Sequence, residues 1–370
     1  MSNRVLVSTR KGLFTVARQG LDRWEITQTA FLGVNVTLSL VDPRDGAWYA
    51  ALDHGHFGVK LHRSEDQGVS WTELAVPAYP EPPEGHVEID WMGKEIPWKL
   101  IRIWALEAGH ASRPGELWAG TLPGGLFRSP DRGATWELVR SLWDHPDRRR
   151  CSGGGADYPG LHSICIHPTN PNHMAVGVST GGAWFTEDGG ATWACRGQGL
   201  RADYVPPGEA QDPVMQDVHR MVQCPADPST LWIQHHNGIF VSRDTGAQWT
   251  ELKEAGPSVF GFGVVVHPRE PGTAWFVPGI KDERRVAVGG ALAVTRTRDG
   301  GRTFDTLREG LPQVHAYDLV YRHALALDGT GERLAFGSTT GGLWVSEDAG
   351  DRWHTVAVHL PPIYAVTFVP

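Results

Sequence analysis

The stretch SPDRGATW, residues 129–136, belongs to the repeat that decides the fold of this 370-residue chain. It recurs as SEDQGVSW (64–71), TEDGGATW (186–193), SRDTGAQW (242–249), TRDGGRTF (297–304) and SEDAGDRW (346–353). The aspartates of these octets, separated by 65, 57, 56, 55 and 49 residues, are Asp66, Asp131, Asp188, Asp244, Asp299 and Asp348. Repeats of about this length are typical of propeller blades, each of which is a four-stranded sheet.

Each octet follows a short apolar strand that begins after a glycine, as in GGLFRS (124–129) and GGLWVS (341–346). The octet is therefore predicted to form the turn between the third and fourth strands of a blade. In such a turn the aspartate can accept backbone N–H bonds, glycine can adopt positive φ, and tryptophan can pack between blades. We assign the octet aspartates a structural role.

The two ends of the chain complete one more blade. The N-terminal segment has three strand-like stretches without an octet, RVLVST (4–9), GLFTVA (12–17) and WEIT (24–27), whereas IYAVTFVP (363–370) resembles an innermost strand. The sequence thus predicts an all-β, seven-bladed β-propeller over residues 1–370, closed by the C-terminal strand joining the N-terminal blade. We place the blades at 1–28 with 362–370, 34–75, 100–140, 162–197, 218–252, 260–307 and 316–357.

Composition narrows the classes of partner. The net charge of -8 and a pI near 6.1 provide no basic field for a phosphate backbone, so we expect no nucleic-acid partner. No stretch approaches the roughly 18 apolar residues of a membrane span, and the N-terminus lacks a signal-peptide pattern. Four scattered cysteines without a CxxC pair favour a cytoplasmic protein, and we expect a monomer.

The repeated octet resembles the Asp-box, or BNR repeat, of sialidases, sortilin-type receptors, xyloglucan-degrading glycosidases and photosystem II assembly factors. More closely, the chain is similar to bacterial single-domain proteins catalogued as sialidase-like glycosyl hydrolases. That similarity runs through GGGADYPGLHSI (153–164), LWIQHHNGIF (231–240), FVPGIKDERR (276–285), AYDLVYRHAL (316–325) and LPPIYAV (360–366). The resemblance implies a propeller and a hydrolase-like activity.

The longest connections mark one face of the propeller. Because strand direction alternates within a blade, the connections 76–99, 141–161, 198–217 and 279–290 all lie on the face opposite the octets. Long loops on a rigid scaffold are where binding and catalysis concentrate. The sequence therefore predicts the functional site on that face, at the mouth of the central channel.

Candidate site residues follow from counting along the strands. Counting back six residues from the terminal proline of an innermost strand gives Thr37, His162, His219, Phe262 and Tyr364. These positions are predicted to form a ring around the channel mouth, and Tyr317 is assigned to the same ring from AYDLVYRH. The candidate catalytic residues are His162, His219, Tyr317, Asp318 and Asp157. The candidate substrate-binding residues are His54, His56, Gln234, His235, His236, Phe262, Lys281, Arg284 and Tyr364. The candidate metal ligands are His162, His219 and His236.

The histidine-rich ring allows three interpretations. Neutral imidazoles can bind a divalent metal or move protons, with Asp157, Asp217 or Asp318 as carboxylate partners. Alternatively, the histidines are hydrogen-bonded to loop backbone. Lys281 and Arg284 also allow two interpretations, because they are either solvated or hold an anionic substrate. The loop tryptophans either stack on a ligand or pack the loops; they are Trp91, Trp98 and Trp143.

The sequence favours a hydrolase or lyase of the sialidase-like type that acts on a small polar molecule, including a carbohydrate, with a divalent metal as the one suggested cofactor. Sialidase activity itself is not expected, because the Arg-Ile-Pro motif is absent and Arg102-Ile103 is followed by Trp104. The seven predicted blades also differ from the six of sialidases. The alternative is a non-catalytic propeller that binds a ligand or serves as a protein-interaction and assembly platform.

Overall fold

The computed structural model describes residues 1–90, 93–154 and 156–370, and these residues form seven four-stranded antiparallel sheets. The sheets are the blades of a β-propeller, numbered I to VII here, as the octet repeat predicts. In each blade the strands follow one another from the channel outward. Trp91 lies outside the described residues.

The first four blades contain 16 strands. Blade I comprises β1 (Arg4–Thr9), β2 (Gly12–Gly20), β3 (Arg23–Ala30) and, on the channel side of β1, the C-terminal strand β28 (Ile363–Val369). Blade II comprises β4 (Asn35–Val41), β5 (Trp48–Asp53), β6 (Val59–Ser64) and β7 (Thr72–Leu74). Blade III comprises β8 (Arg102–Ala108), β9 (Leu117–Leu122), β10 (Leu126–Ser129) and β11 (Glu137–Leu138). Blade IV comprises β12 (Gly160–Ile166), β13 (Met174–Ser179), β14 (Gly182–Thr186) and β15 (Ala194–Cys195).

The remaining three blades follow the same order. Blade V comprises β16 (Val218–Cys224), β17 (Asp227–His235), β18 (Gly238–Ser242) and β19 (Thr250–Leu252). Blade VI comprises β20 (Gly261–Val266), β21 (Ala274–Pro278), β22 (Val294–Thr297) and β23 (Asp305–Leu307). Blade VII comprises β24 (Leu325–Leu327), β25 (Leu334–Gly337), β26 (Leu343–Ser346) and β27 (His354–Ala357).

Helical structure within the described residues is confined to the connections. A single α-helical turn, α1 (Arg140–Trp143), and a 3₁₀ turn (Pro146–Arg150) lie between blades III and IV. Other 3₁₀ turns are Gly55–Phe57, Pro207–Glu209, Pro213–Met215 and Val288–Gly290. None of these described helices has the length or apolar character to cross a bilayer.

The ring is closed by the C-terminal strand. β28 pairs antiparallel with β1, from Arg4 opposite Val369 to Thr9 opposite Ile363. Val5, Leu6 and Val7 of β1 are fully buried by this pairing and by the neighbouring blades. Closure therefore removes the exposed strand edges that an open seven-bladed array would have.

The octets form turns held by one aspartate and one hydroxyl. In SPDRGATW, Asp131 Oδ1 accepts hydrogen bonds from Ser129 Oγ at 2.9 Å and from Thr135 N at 2.8 Å, while Gly133 N donates to Ser129 Oγ at 2.8 Å. Gly133 has φ +85°, a conformation that favours glycine. The hydroxyl-to-aspartate and glycine-to-hydroxyl bonds recur in all six octets.

The turn hydrogen bonds also stabilise the ionised aspartates. Hydrogen bonds from Ser70 lower the pKa of Asp66 to about 2, and those from Thr192 do the same for Asp188. The octet tryptophans then connect blades, because Trp249 is buried and its Nε1 donates to Arg196 O of the preceding connection at 3.3 Å. The octet is a folding element on the face opposite the long connections.

We predict that Asp131→Ala destabilises the protein without altering ligand affinity. The substitution removes an ionised acceptor of three hydrogen bonds, so the free energy of unfolding should fall by about 1 kcal/mol, measured by urea denaturation. Asp144→Ala, which removes only a 3.6 Å surface pair with Arg140, is the matched control and should change little. Selective loss of ligand binding with unchanged stability would contradict the structural role.

Candidate functional site

A β-bulge occurs near the start of six innermost strands. In five of these strands one residue has no partner in the second strand; these residues are Thr37, Trp104, His162, His219 and Tyr364. In blade VI the register shifts between Gly261 and Val264, the segment that contains Phe262. A bulge inserts one extra residue and turns its side chain away from the regular alternation. The five ring positions found by counting from proline are thus bulge positions at the channel mouth.

The seventh ring position belongs to His323, and the assignment of Tyr317 was wrong. Gly337 N donates to Ala324 O, so Ala324 lies opposite Gly337 as Ser163 lies opposite Gly177 in blade IV, and His323 corresponds to His162. Tyr317 lies earlier in the connection and its side chain is 62% exposed. The innermost strands of blades III and VII do not end in proline, so counting from proline missed both Trp104 and His323.

Ring side chains hydrogen-bond to the next blade. His162 Nε2 lies 2.7 Å from Val218 O, and His219 Nδ1 lies 2.7 Å from Gly261 O. Val218 and Gly261 each lie directly before the ring position of the following blade. Thr37 Oγ1 makes the equivalent, longer contact with Ile103 O at 3.4 Å. These bonds join the innermost strands of neighbouring blades around the channel.

His162 is structural, which contradicts its prediction as a catalytic residue and metal ligand. Its ring is fully buried, with Nε2 on Val218 O and Nδ1 3.0 Å from Ser163 Oγ. Burial keeps the pKa of His162 well below its usual value, so the ring is neutral. Because both nitrogens are engaged, neither is available to a metal or a substrate.

His219 instead belongs to a cluster with Asp217 and His236. Asp217 Oδ2 lies 3.4 Å from His219 Nε2 and 3.6 Å from His236 Nδ1, and one ligand atom from each residue lies within 4.8 Å of the others. The side chains of Asp217 and His219 are 8% and 3% exposed. Of the three predicted metal ligands, His219 and His236 therefore lie together with Asp217, whereas His162 lies outside this cluster.

The cluster is held by both neighbouring blades and their connections. Asp217 Oδ1 accepts from Thr180 N and Ser179 Oγ, each at 3.2 Å, at the end of β13. Burial alone would raise the pKa of Asp217, but the positive charges around the carboxylate outweigh this effect, and the pKa lies well below its ordinary value. Phe262 stacks on His219 with ring centroids 4.4 Å apart. The result is an ionised carboxylate facing two imidazoles.

A cavity of ≈ 290 Å³ occupies the channel mouth beside this cluster. Residues from blades I, II and III and from the connection before β24 line it: Asn35, Thr37, Arg102, Trp104, Tyr321, Arg322, His323 and Tyr364. Tyr321 and Tyr364 stack with ring centroids 6.0 Å apart. The cavity thus combines aromatic faces with two arginines, and Tyr364, one of the predicted substrate-binding residues, is among those that line it.

Arg322 is the residue that joins the cavity to the cluster. Its guanidinium carbon lies 4.9 Å from the Trp104 ring centroid and 5.1 Å from that of Phe262. Arg322 is only 6% exposed, and within the described part of the chain its Nε and Nη2 have no hydrogen-bond partner. Burial lowers the pKa of Arg322 to about 10, which leaves the side chain charged at neutral pH.

Two predicted substrate-binding residues on β17 are instead used by the fold. Gln234 is buried and its Nε2 donates to Val259 O at 2.9 Å. His235 is fully buried, and its Nδ1 accepts from Asn237 N at 3.0 Å. Burial lowers the pKa of His235 to about 3. Neither side chain is open to a substrate.

The other loop candidates lie apart from the cluster. His54 and His56 are exposed on the connection after β5, where both rings contact Phe57. Asp157 is 83% exposed and pairs with Lys94 at 3.2 Å. Asp318 is buried but accepts from Ser338 Oγ at 2.7 Å and from Thr340 Oγ1, as a turn-stabilising carboxylate does. Asp157 and Asp318 therefore do not act as partners of the histidine cluster.

The charged connection 279–293 folds toward the channel mouth through different residues from those predicted. Arg285, rather than Arg284, lies 5.6 Å from the Phe262 ring centroid, and Asp282 Oδ1 lies 3.2 Å from His236 Nε2. Lys281 pairs with Asp203 at 3.3 Å, and Arg284 is exposed. Sequence reasoning identified the loop but not which of its charges face the site.

The described loop tryptophans pack the connections. Trp98 Nε1 donates to Glu88 Oε2 at 3.0 Å and its ring meets Trp143 edge-on at 5.3 Å. Arg148 lies over Trp143 and forms a buried ion pair with Glu88. Trp98 and Trp143 thus serve loop packing, the second of the two interpretations considered for them.

No family model matches this chain. A protein of Neosartorya fischeri described as a probable oligoxyloglucan-reducing end-specific xyloglucanase is 28% identical over 220 residues, which are 52% of this chain and 25% of that protein. The xyloglucanase of Emericella nidulans is 27% identical over 152 residues, 37% of this chain and 18% of that protein. The chain therefore matches only about a quarter or less of the length of these curated relatives.

Solved structures show the same fold at lower identity. A GH74 xyloglucanase from Xanthomonas campestris has a TM-score of 0.64 at 18% identity, with 95% of this chain and 52% of that chain covered. YCF48 bound to D1 peptide has a TM-score of 0.50 at 13% identity, with 96% and 94% covered. This chain is a seven-bladed β-propeller similar in fold to GH74 xyloglucanases and to YCF48.

We predict that stability decreases as the pH falls below 6.5. Burial keeps the pKa values of His162, His235 and His323 below the ordinary 6.5, so the unfolded chain takes up protons that the folded chain excludes. Each group should then remove about 1 kcal/mol of unfolding free energy between pH 6.5 and 5.5, and approach about 1.4 kcal/mol per pH unit at lower pH. The octet aspartates titrate at lower pH and contribute little in this range.

Urea denaturation at pH 7.5, 6.5 and 5.5 measures this dependence. His162→Gln should reduce the slope by one group, whereas His56→Gln, a change at an exposed histidine, should leave it unchanged. A flat profile in the wild-type protein between pH 6.5 and 5.5 would show that the buried imidazoles are not excluded from protonation.

Proposed function

We propose that this protein is a hydrolase or lyase that acts on a small, hydroxyl-rich molecule bearing a carboxylate, such as a sugar acid or a short acidic saccharide. The substrate binds in the cavity at the channel mouth. The observation that carries this proposal is Arg322, a buried, charged side chain whose Nε and Nη2 have no hydrogen-bond partner among the described residues. A guanidinium with two free donors matches a carboxylate in charge and in geometry.

The rest of the cavity suits the remainder of such a molecule. Trp104, Tyr321 and Tyr364 offer apolar ring faces, on which the C–H faces of a sugar ring can pack. Asn35 Oδ1 is buried without a partner in the described residues and can accept from a hydroxyl group. Arg102, which is 36% exposed and pairs with Asp53 at 3.5 Å, also lines the cavity. The volume of ≈ 290 Å³ lies at the small end of ligand sites, which favours a small molecule over a polymer chain.

Groups capable of proton transfer or water activation lie next to this cavity. Phe262 contacts Arg322 on the cavity side and stacks on His219 of the cluster. Asp217, His219 and His236 are therefore separated from the bound carboxylate by about one aromatic ring. The xyloglucanase relatives support action on a carbohydrate, although the match covers part of each protein.

A second candidate function is a non-catalytic binding platform. The exposed fractions of Asp217 and His219 are small, which limits direct contact between the cluster and a substrate. YCF48, a propeller of similar fold, is solved with a D1 peptide. In this case Arg322 would bind a carboxylate, such as a peptide C-terminus, without turnover.

We predict that carboxylated sugars bind and that neutral sugars of the same ring do not. Isothermal titration calorimetry with glucuronate and galacturonate against glucose and galactose makes the comparison. Arg322→Met should weaken binding of the acid by about 10-fold or more, because a charged hydrogen bond in a buried site is worth roughly 1.5–3 kcal/mol. Arg284→Met, at an exposed arginine of the neighbouring connection, is the matched control. Equal affinity for neutral and acidic sugars would refute the assignment of Arg322.

Turnover separates the two candidate functions. Glycosides, lactones and esters of the acids that bind should be cleaved by the wild-type protein and not by Asp217→Asn, with products measured by chromatography. Binding of the acid with no turnover of any panel member would instead favour the binding platform.

A further inference from the structure

We propose that Asp217, His219 and His236 form a binding site for one divalent transition-metal ion. Two imidazoles and a carboxylate are a ligand set found for zinc and for non-haem iron. The proposal concerns metal binding alone and stands apart from the proposed function, because metal content is measured without any substrate.

The tautomer of His219 leaves its metal-binding nitrogen free. His219 Nδ1 lies 2.7 Å from Gly261 O, and a carbonyl oxygen only accepts, so Nδ1 carries the proton. In the neutral ring, Nε2 then presents a lone pair toward Asp217 Oδ2, 3.4 Å away. Metal-bound histidines typically donate their other N–H to a backbone carbonyl or carboxylate in this way.

His236 repeats the arrangement with a carboxylate as its outer partner. His236 Nε2 lies 3.2 Å from Asp282 Oδ1, which places the proton on Nε2 in the neutral ring. His236 Nδ1 then presents its lone pair toward Asp217 Oδ2 at 3.6 Å. Two independent outer contacts thus turn two lone pairs toward the same carboxylate oxygen.

The distances suit a cation between these atoms better than hydrogen bonds. At 3.4 and 3.6 Å the N···O separations exceed the usual hydrogen-bond range of about 2.7–3.2 Å. Metal–ligand bonds of about 2.0–2.2 Å in tetrahedral geometry place neighbouring ligand atoms about 3.3 Å apart. A buried carboxylate facing two lone pairs is unfavourable unless a positive charge lies among them. A metal ion supplies that charge while both rings stay neutral.

Three protein ligands leave at least one coordination position for water or another ligand. A cation held in this way lowers the pKa of a bound water and polarises a bound oxygen. The surroundings are restricted, since Phe260 and Phe262 border His219 and Tyr204 borders His236. The three side chains are also largely shielded from solvent, which strengthens the interaction between the cation and its ligands.

Metal analysis of untagged protein tests the proposal. After chelation and dialysis, the wild-type protein should bind about one Zn²⁺ per chain, and Zn²⁺ should raise its melting temperature as a ligand of the folded state does. Replacement by Co²⁺ should give the visible absorption of a nitrogen- and oxygen-ligated ion. Asp217→Asn and His236→Gln, which change the side-chain volume little, should abolish stoichiometric binding. His219 is left unchanged because its hydrogen bond with Gly261 O also supports the fold.

A graded variant and a control complete the test. Asp282→Ala removes the outer partner of His236 and should weaken Zn²⁺ affinity by roughly 10- to 100-fold. His56→Gln, at an exposed histidine on the same face, should bind as the wild type does. The proposal is overturned if wild-type protein binds no stoichiometric metal, or if Asp217→Asn and His236→Gln bind it as the wild type does. Loss of turnover without loss of metal would concern the proposed function instead.

Discussion

Pairing of β28 with β1 is the constraint on which the rest of the structure depends. It brings residues 363–369 onto residues 4–9 and makes seven blades into a closed ring. In a closed ring every innermost strand has a neighbouring blade on both sides. The carbonyl of the residue directly before a ring position can therefore accept a hydrogen bond from the ring side chain of the preceding blade. The contacts of Thr37, His162 and His219 with the next blade follow from this geometry. Closure and these bonds together link neighbouring blades at the channel mouth.

The same residue type serves different roles around this ring. His162 and His219 occupy equivalent bulge positions in adjacent blades and both contact the next blade's carbonyl. The second nitrogen of His162 meets a serine hydroxyl, whereas that of His219 faces a buried carboxylate. The difference lies in the residues around each ring position, because Ser163 follows His162 and Asp217 lies two residues before His219. Both histidines therefore link neighbouring blades, and only His219 directs its second nitrogen at a carboxylate.

Sequence reasoning predicted the face on which the histidine cluster and the cavity lie, and some of the residues that form them. Counting from terminal prolines found five ring positions, and the histidine-rich stretch at 235–236 contained one residue of the cluster. It missed Trp104 in blade III and Arg322 and His323 directly before blade VII, because the innermost strands of these two blades lack that proline. A usable signal was present in YRHALALDG (321–329), where counting back six from Gly329 reaches His323. The side-chain partners that separate His162 from His219 had no comparable signal.

The sequence by itself determined the blade count, the closure and the structural role of the octets. These features depend on local interactions, such as the bond from Thr135 N to Asp131, which joins residues four apart and recurs with the motif. Only the tertiary structure decided which polar groups meet at the channel mouth. Arg322 reaches Trp104 and Phe262 of other blades, and His236 reaches Asp282 across a loop. Such contacts depend on how bulges and connections orient side chains in space, and residue spacing along the chain does not specify that orientation.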